Sequence, residues 1–237
     1  MSLEERWVDS RGVRLHCLAR APGATPEAMP LVVVPGTFGT AEDYIDEMTA
    51  LAPRACVAAS LRGRGKSDTP ASGYTFADHV ADVAAVVDAL VVGRFALMGY
   101  SMGAAYALGY ALQAPDRVAG LVIGDYPARY PALAATWVAR AIEALPDRTR
   151  PEVAAALQRE SAKVSMWDDL GTLACPVMIL RGGQPETRVT EEFAAMYRER
   201  LSDVEIVTLE RSGHNLWEPD FDAYLGAIRR FLERLDR

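Results

Sequence analysis

Cysteine, histidine and basic charge are all scarce in this chain of 237 residues. Its three cysteines, Cys17, Cys56 and Cys175, are odd in number, far apart and without a CxxC pair. That excludes a disulfide framework and a thiolate zinc site, and leaves three small side chains for a core. Lys and Arg total 25 against 32 Asp and Glu, a formal net charge of −7, so the basic footprint of a nucleic-acid binder is missing. The acidic residues are scattered and define no partner. No run approaches the ~18 uninterrupted apolar residues of a membrane span, and MSLEERWVDSRGVRLH at the N-terminus has no apolar leader segment. The expectation is a cytoplasmic chain, monomer or homodimer, that binds a small molecule and neither nucleic acid nor membrane.

What is present is ordinary globular composition, 50% hydrophobic and 24% charged. At roughly 100–200 residues per domain, 1–237 reads as a single domain with room for a small insertion. Two short runs, Glu5–Val8 and Val13–Ala19, flank Ser10-Arg11-Gly12 with hairpin spacing. In the second run Arg14 and His16 alternate with Val13, Leu15 and Cys17, the pattern of a half-exposed strand. Ala21–Pro30 reads as a loop, and Leu31–Gly36 (LVVVPG) as a strand buried on both faces. Helices at Ala41–Leu51, Phe76–Val92 and Met102–Gln113 then alternate with strands at Ala55–Leu61, Phe95–Tyr100 and Val118–Gly124. Strands at Val177–Leu180 and Val204–Leu209 follow, and a last helix spans Asp220–Leu235. Such alternation implies right-handed crossovers and a mainly parallel sheet with helices on both faces, an α/β fold. The residues between Gly124 and Val177 break the rhythm with helical patterning only, which predicts an inserted helical cap over 126–174, with helices near Ala128–Leu145 and Pro151–Lys163.

Gly99-Tyr100-Ser101-Met102-Gly103 stands between a predicted strand and a predicted helix. This is the context of a G-x-S-x-G nucleophile elbow, in which a strained turn lifts the hydroxyl above the sheet and small residues let strand and helix pass closely. A serine needs a base. Of the three histidines, His16 on the polar side of a strand and His79 in an amphipathic helix are expected to be solvated. His214, in Arg211-Ser212-Gly213-His214-Asn215 after the last strand, falls at the carboxyl edge of the sheet, where open α/β folds build their sites.

In order and spacing, PGTFG (Pro35–Gly39), LRGRGKSD (Leu61–Asp68), GYSMG (Gly99–Gly103), CPVMILRGG (Cys175–Gly183) and SGHNLWEPD (Ser212–Asp220) together resemble the α/β-hydrolase fold family, from about Arg14 to Leu235. The resemblance implies an eight-stranded, mostly parallel sheet with an antiparallel second strand and a serine–histidine–acid triad in that chain order. The family's usual acid follows the strand at Val177–Leu180, where Glu186 of Gly183-Gln184-Pro185-Glu186 stands; Asp125, at the end of Val118–Gly124, is the competing acid. The oxyanion hole implied is the backbone N–H of Met102 plus that of Thr37, although Pro35-Gly36 replaces the family's common His-Gly. Arg62 and Arg64 are expected as loop anchors, and Phe38, Tyr100, Tyr126, Tyr130, Trp137, Trp167 and Trp217 as pocket-lining aromatics, with Met102 and Met166 alongside. Dehalogenases and epoxide hydrolases of this family use an aspartate where Ser101 stands. The activity implied is therefore acyl transfer to water on a small carboxylic ester or lactone, with no cofactor and no metal. A carbon–carbon bond hydrolase of a diketone-type metabolite, or a ligand receptor on the same fold, would use the same motifs.

Overall fold

The computed structural model describes residues 2–21 and 28–237; most of the loop expected at Ala21–Pro30 lies outside them. Strands β1 (Glu4–Ser10) and β2 (Val13–Arg20) form the expected hairpin, joined by Arg11 and Gly12, both at positive φ. There follow β3 (Leu31–Val34), a 3₁₀ turn at Ala41–Tyr44, α1 (Ile45–Ala50), β4 (Cys56–Ser60), α2 (Phe76–Leu90), β5 (Phe95–Tyr100), α3 (Met102–Gln113) and β6 (Val118–Gly124). Between β6 and the next long strand lie two short paired strands, β7 (Arg129–Tyr130) and β8 (Val164–Ser165), with α4 (Trp137–Ala144) and α5 (Pro151–Glu160) between them. The chain closes with β9 (Val177–Gly182), α6 (Glu191–Arg200), β10 (Val204–Leu209) and α7 (Phe221–Leu235).

Eight strands make one sheet in the order β1-β2-β4-β3-β5-β6-β9-β10, and only β2 runs against its neighbours. The central strands are buried on both faces, so their sequences are continuously apolar. Along β3, Val32 and Val34 pack with Val80, Val83 and Val87 of α2 and the alanines of α3, while Leu31 and Val33 pack on the other face with Met48 of α1 and Ile228 and Phe231 of α7. All three cysteines are buried and free; burial pushes the Cys17 thiol up to about 12 and that of Cys56 up to about 11.

Two expectations about histidines are corrected. His16 is fully buried, because Trp7 lies edge-on to its ring at 5.1 Å and the Ala41–Tyr44 turn brings Glu42 to 3.7 Å of Nδ1. His79 is also buried, stacked on Tyr106 with centroids 4.4 Å apart. Its Nε2 lies 2.8 Å from Arg64 Nη1, and since a guanidinium can only donate, the ring proton sits on Nδ1, 2.8 Å from the Thr75 carbonyl. Burial first, then the Arg64 and Arg62 charges, hold the pKa of His79 well below the ordinary histidine value and keep it neutral.

The segment after β6 begins extended, so its first helix starts at Trp137 rather than near Ala128. It is fastened to the loop after β4: Glu160 Oε2 accepts from the amides of Gly73 and Tyr74 (2.8 and 2.7 Å), and Arg150 donates to Thr69 Oγ1 and the Gly65 carbonyl (2.6 Å each).

Candidate active site

Five loops leave the carboxyl ends of β3, β5, β6, β9 and β10 and meet above the middle of the sheet, where open α/β folds bind ligands. Ser101 follows β5 with φ 52° and ψ −132°, outside the ordinary wells of an L-residue. The neighbouring glycines make this turn physically feasible. A Cβ on Gly99 would lie 2.4 Å from the Cα of Ala104, and one on Gly103 only 2.1 Å from the Pro35 carbonyl oxygen. The strand and helix therefore approach as closely as bare backbone allows.

His214 Nε2 lies 3.0 Å from Ser101 Oγ, and His214 Nδ1 lies 2.8 Å from Asp125 Oδ2. A carboxylate can only accept, so Nδ1 carries the ring proton and Nε2 is left free to accept from the serine hydroxyl. Tyr100 fixes the loop from beneath: its hydroxyl donates to the His214 carbonyl (2.9 Å) and its ring stacks against the imidazole at 5.1 Å.

Asp125, not Glu186, is the carboxylate that meets the histidine, which corrects the preferred expectation. β6 lies directly beside β5, so Asp125 ends one strand away from Ser101, whereas Glu186 follows β9, two strands away. Glu186 is exposed and its side chain lies against Gly213. The loop that bears it serves Asp125 instead: Thr187 Oγ1 donates to Asp125 Oδ1, the amide of Val189 donates to the same oxygen (3.1 Å), and the amide of Arg188 donates to Oδ2 (2.8 Å). Burial alone would raise this carboxyl, but the bonds from His214, Thr187, Arg188 and Val189 outweigh it, and its pKa lies below the ordinary aspartate value. Asp125, like Ser101, has positive φ (45°).

The turn after β3 passes beside the serine: a Cβ on Gly36 would lie 3.3 Å from the Cβ of Ser101. Thr37 belongs to this turn, and Arg64 Nε holds its carbonyl at 2.8 Å. Met102 is the first residue of α3, so its N–H has no partner within the helix. Arg62 is anchored by the buried Asp82, Nε to Oδ2 at 2.8 Å and Nη2 to Oδ1 at 2.6 Å. Both arginines thus hold loops.

A cleft of 1070 Å³ opens over Ser101 and His214. Phe38, Tyr100, Met102, Tyr126, Trp137 and Trp217 line it. Tyr130, Trp167 and Met166 do not: Tyr130 is buried against Phe76 and Tyr106, Trp167 packs on Phe193 and Tyr197, and Met166 is a core residue. Aromatic character alone could not separate lining from packing. Four arginines at the cleft, Arg129, Arg140, Arg148 and Arg188, had no signal in the sequence, since their motif-free positions become neighbours only in the fold. Among the described residues no cluster of three or more His, Cys, Asp or Glu could hold a metal, and no helix is long and apolar enough to cross a membrane.

A doubly wound sheet with an elbow serine, a bonded histidine and a carboxylate at its carboxyl edge defines a hydrolase-type α/β scaffold. The model of the α/β hydrolase fold matches residues 29–183, more than half of the chain, and the protein belongs to that family. Among curated relatives, haloalkane dehalogenase 2 of Mycobacterium bovis is 32% identical over 124 residues, 52% of this chain. The match spans only 42% of that relative's length. N-formylmaleamate deformylase of Pseudomonas putida is 25% identical across 94% of this chain and 90% of its own length. A solved structure of a thermophilic esterase from Thermogutta terrifontis superposes with a TM-score of 0.84 at 22% identity, over 99% of this chain and all of that one, a likeness of fold.

Proposed function

We propose that the protein is a serine hydrolase that cleaves a carboxylic ester or lactone of a small molecule, with Ser101 as nucleophile, His214 as general base and Asp125 as the orienting acid. The observation that carries this reading is the unbroken bonded chain from Ser101 Oγ through the His214 ring to the buried Asp125, at the floor of an open, aromatic-lined cleft. Asp125 keeps the ring proton on Nδ1 and stabilises the imidazolium as it forms. Nε2 takes the hydroxyl proton as Oγ attacks the carbonyl carbon, and the N–H groups of Met102 and Thr37 receive the oxyanion at the positive end of α3. His214 returns the proton to the departing alkoxide; a water activated by the same Nε2 then hydrolyses the acyl-enzyme. The 126–174 segment acts as a cap that shapes the acyl or alcohol pocket.

Dehalogenation, named for one relative, does not transfer. Displacement of halide at saturated carbon uses a carboxylate nucleophile that forms an alkyl ester, and the elbow here carries a hydroxyl. The test is a fluorophosphonate probe followed by peptide mass spectrometry. The expected adduct is on Ser101, with none in Ser101→Ala; a folded protein that stays unlabelled would sink the reading.

A further inference from the structure

The cleft is lined by four arginines, which ester cleavage does not require. Helix α4 turns Trp137, Arg140, Ala141 and Ala144 toward it, the i, i+3, i+4, i+7 stripe a helix reserves for its apolar side. Arg140 is exposed in that stripe, and among the described residues its side chain has no hydrogen bond or ion pair. Arg188 approaches from the loop after β9. Its amide is 2.8 Å from Asp125 Oδ2, its charge acts on the hydroxyls of Tyr100 and Tyr126 in the same cleft, and its guanidinium is likewise unpartnered among the described residues.

Shortage of acids does not explain these two free cations, since Asp and Glu outnumber Lys and Arg 32 to 25. The other arginines of the cleft are engaged: Arg148 binds Asp43 at 2.7 Å, and Arg129 lies over the Phe193 ring at 5.0 Å. The acids that line it are Asp43, Asp46 and Glu47 on the side of α1, and Glu218 beyond His214, which accepts from Asn215. None pairs with Arg140 or Arg188. Two exposed arginines from separate elements line the concavity that also holds the nucleophile, and a guanidinium fork binds a planar anion in a bidentate manner.

We propose that the substrate carries a second, ionised carboxylate, held by Arg188 and Arg140 while Ser101 attacks its ester carbonyl. The proposal rests on the serine-hydrolase reading for the reacting bond. Water is added across the acyl C–O bond, the alcohol leaves with the proton delivered by His214, and the new carboxylic acid releases its proton to solvent. The second carboxylate undergoes no chemistry: on the acyl side it stays with the acyl-enzyme, and on the alcohol side it departs with the alcohol.

The test is calorimetric titration of Ser101→Ala with three esters: neutral phenyl butyrate, monophenyl glutarate with the charge on the acyl side, and 4-(butyryloxy)benzoate with it on the alcohol side. One of the two anions is expected to bind about tenfold to a hundredfold tighter than the neutral ester, the range that a charged hydrogen bond carries. Added salt should shrink the advantage, and Arg188→Gln or Arg140→Gln, each in the Ser101→Ala background, should remove most of it while Arg188→Lys keeps part. Which anion wins assigns the side of the bond. Neither anion exceeding the neutral ester by twofold, or an advantage that survives both glutamine variants, overturns the proposal. Turnover of the three esters by the unaltered protein is measured beside it. An anion preference without any turnover would retain the carboxylate site and discard the serine-hydrolase reading.

Discussion

Asp125→Asn separates the two candidate acids and has a calculable effect. The carboxylate accepts four hydrogen bonds, from His214 Nδ1 and the Arg188 amide at Oδ2, and from Thr187 Oγ1 and the Val189 amide at Oδ1. An asparagine has one oxygen and one NH₂, so in either orientation its NH₂ faces a pair of groups that now donate. With NH₂ on the Oδ2 side, the Arg188 amide loses its acceptor and His214 must move its proton to Nε2, where it can no longer accept from Ser101. With NH₂ on the other side, the Val189 amide is stranded instead. A buried unsatisfied donor costs about 1–3 kcal/mol. At roughly 2–4 °C per kcal/mol for a chain of this size, Tm should fall by about 2–12 °C. In the first orientation the wrong tautomer should cost about 10³–10⁴-fold in kcat on an aryl ester, with KM little changed, whereas the second orientation keeps the tautomer and costs stability alone. Glu186→Gln, at an exposed side chain off the relay, should stay within about twofold on the physical argument that it bonds to neither catalytic partner. The assay is steady-state hydrolysis of p-nitrophenyl acetate beside the rate of fluorophosphonate labelling. If Glu186→Gln loses more than Asp125→Asn, the relay drawn above is wrong.

The Asp125 carboxyl is held below its ordinary value, so its contribution to stability is complete above about pH 4 and is lost as pH falls through the depressed folded value. The stability gap between the unaltered chain and Asp125→Asn, read by urea unfolding, should hold from pH 7 to 5 and close below pH 4. Asp82→Ala should strand the buried Arg62 guanidinium and cost about 3–5 kcal/mol, visible in the same unfolding curves; a loss under about 1 kcal/mol would mean that Arg62 reaches water when released. Gly103→Ala, which drives a methyl into the Pro35 carbonyl, should cost at least about 3 kcal/mol or prevent folding, and a soluble protein of unchanged Tm would contradict the close approach. Ser101→Gly should be about 1 kcal/mol more stable than Ser101→Ala, since glycine accepts the positive φ without strain; equal melting would deny that the elbow is strained.

What was legible in the sequence is what local pattern encodes. The apolar runs at Leu31–Val34 and Phe95–Tyr100 announce two-sided burial, and the elbow is contiguous in the chain, so its strand, serine and helix are read together. His214 emerged because only three histidines compete and only one follows a strand end. The acid was not legible in the same way. Asp125 and Glu186 each follow a strand, and the choice depends on which strand neighbours β5, a property of strand order that spacing does not carry. Burial of His16 and His79 depends on Trp7, the 41–44 turn and Tyr106, all remote or on other elements. Tyr130 and Trp167 pack on Phe76, Tyr106, Phe193 and Tyr197 while Tyr126 and Trp137 face the cleft, and the β7–β8 pairing that holds Tyr130 is too brief to leave a periodicity.

The carboxylate bonded to the histidine is also the last residue before the chain departs into the 126–174 segment. It sits in a left-handed turn, and its successor Tyr126 is pinned through its carbonyl to the Tyr197 hydroxyl at 2.9 Å on α6. The seam between the bonded relay and the inserted segment therefore falls after Tyr126, not before Asp125. A transplant of the corresponding segment from another protein of this architecture, spliced from Pro127 onward and keeping the Glu160 and Arg150 moorings to the 65–74 loop, would change what the cleft admits while leaving the relay aligned. A splice one or two residues earlier would replace the turn that aims Asp125, and a chimera of that kind could fold, fill its cleft and still have a misdirected imidazole.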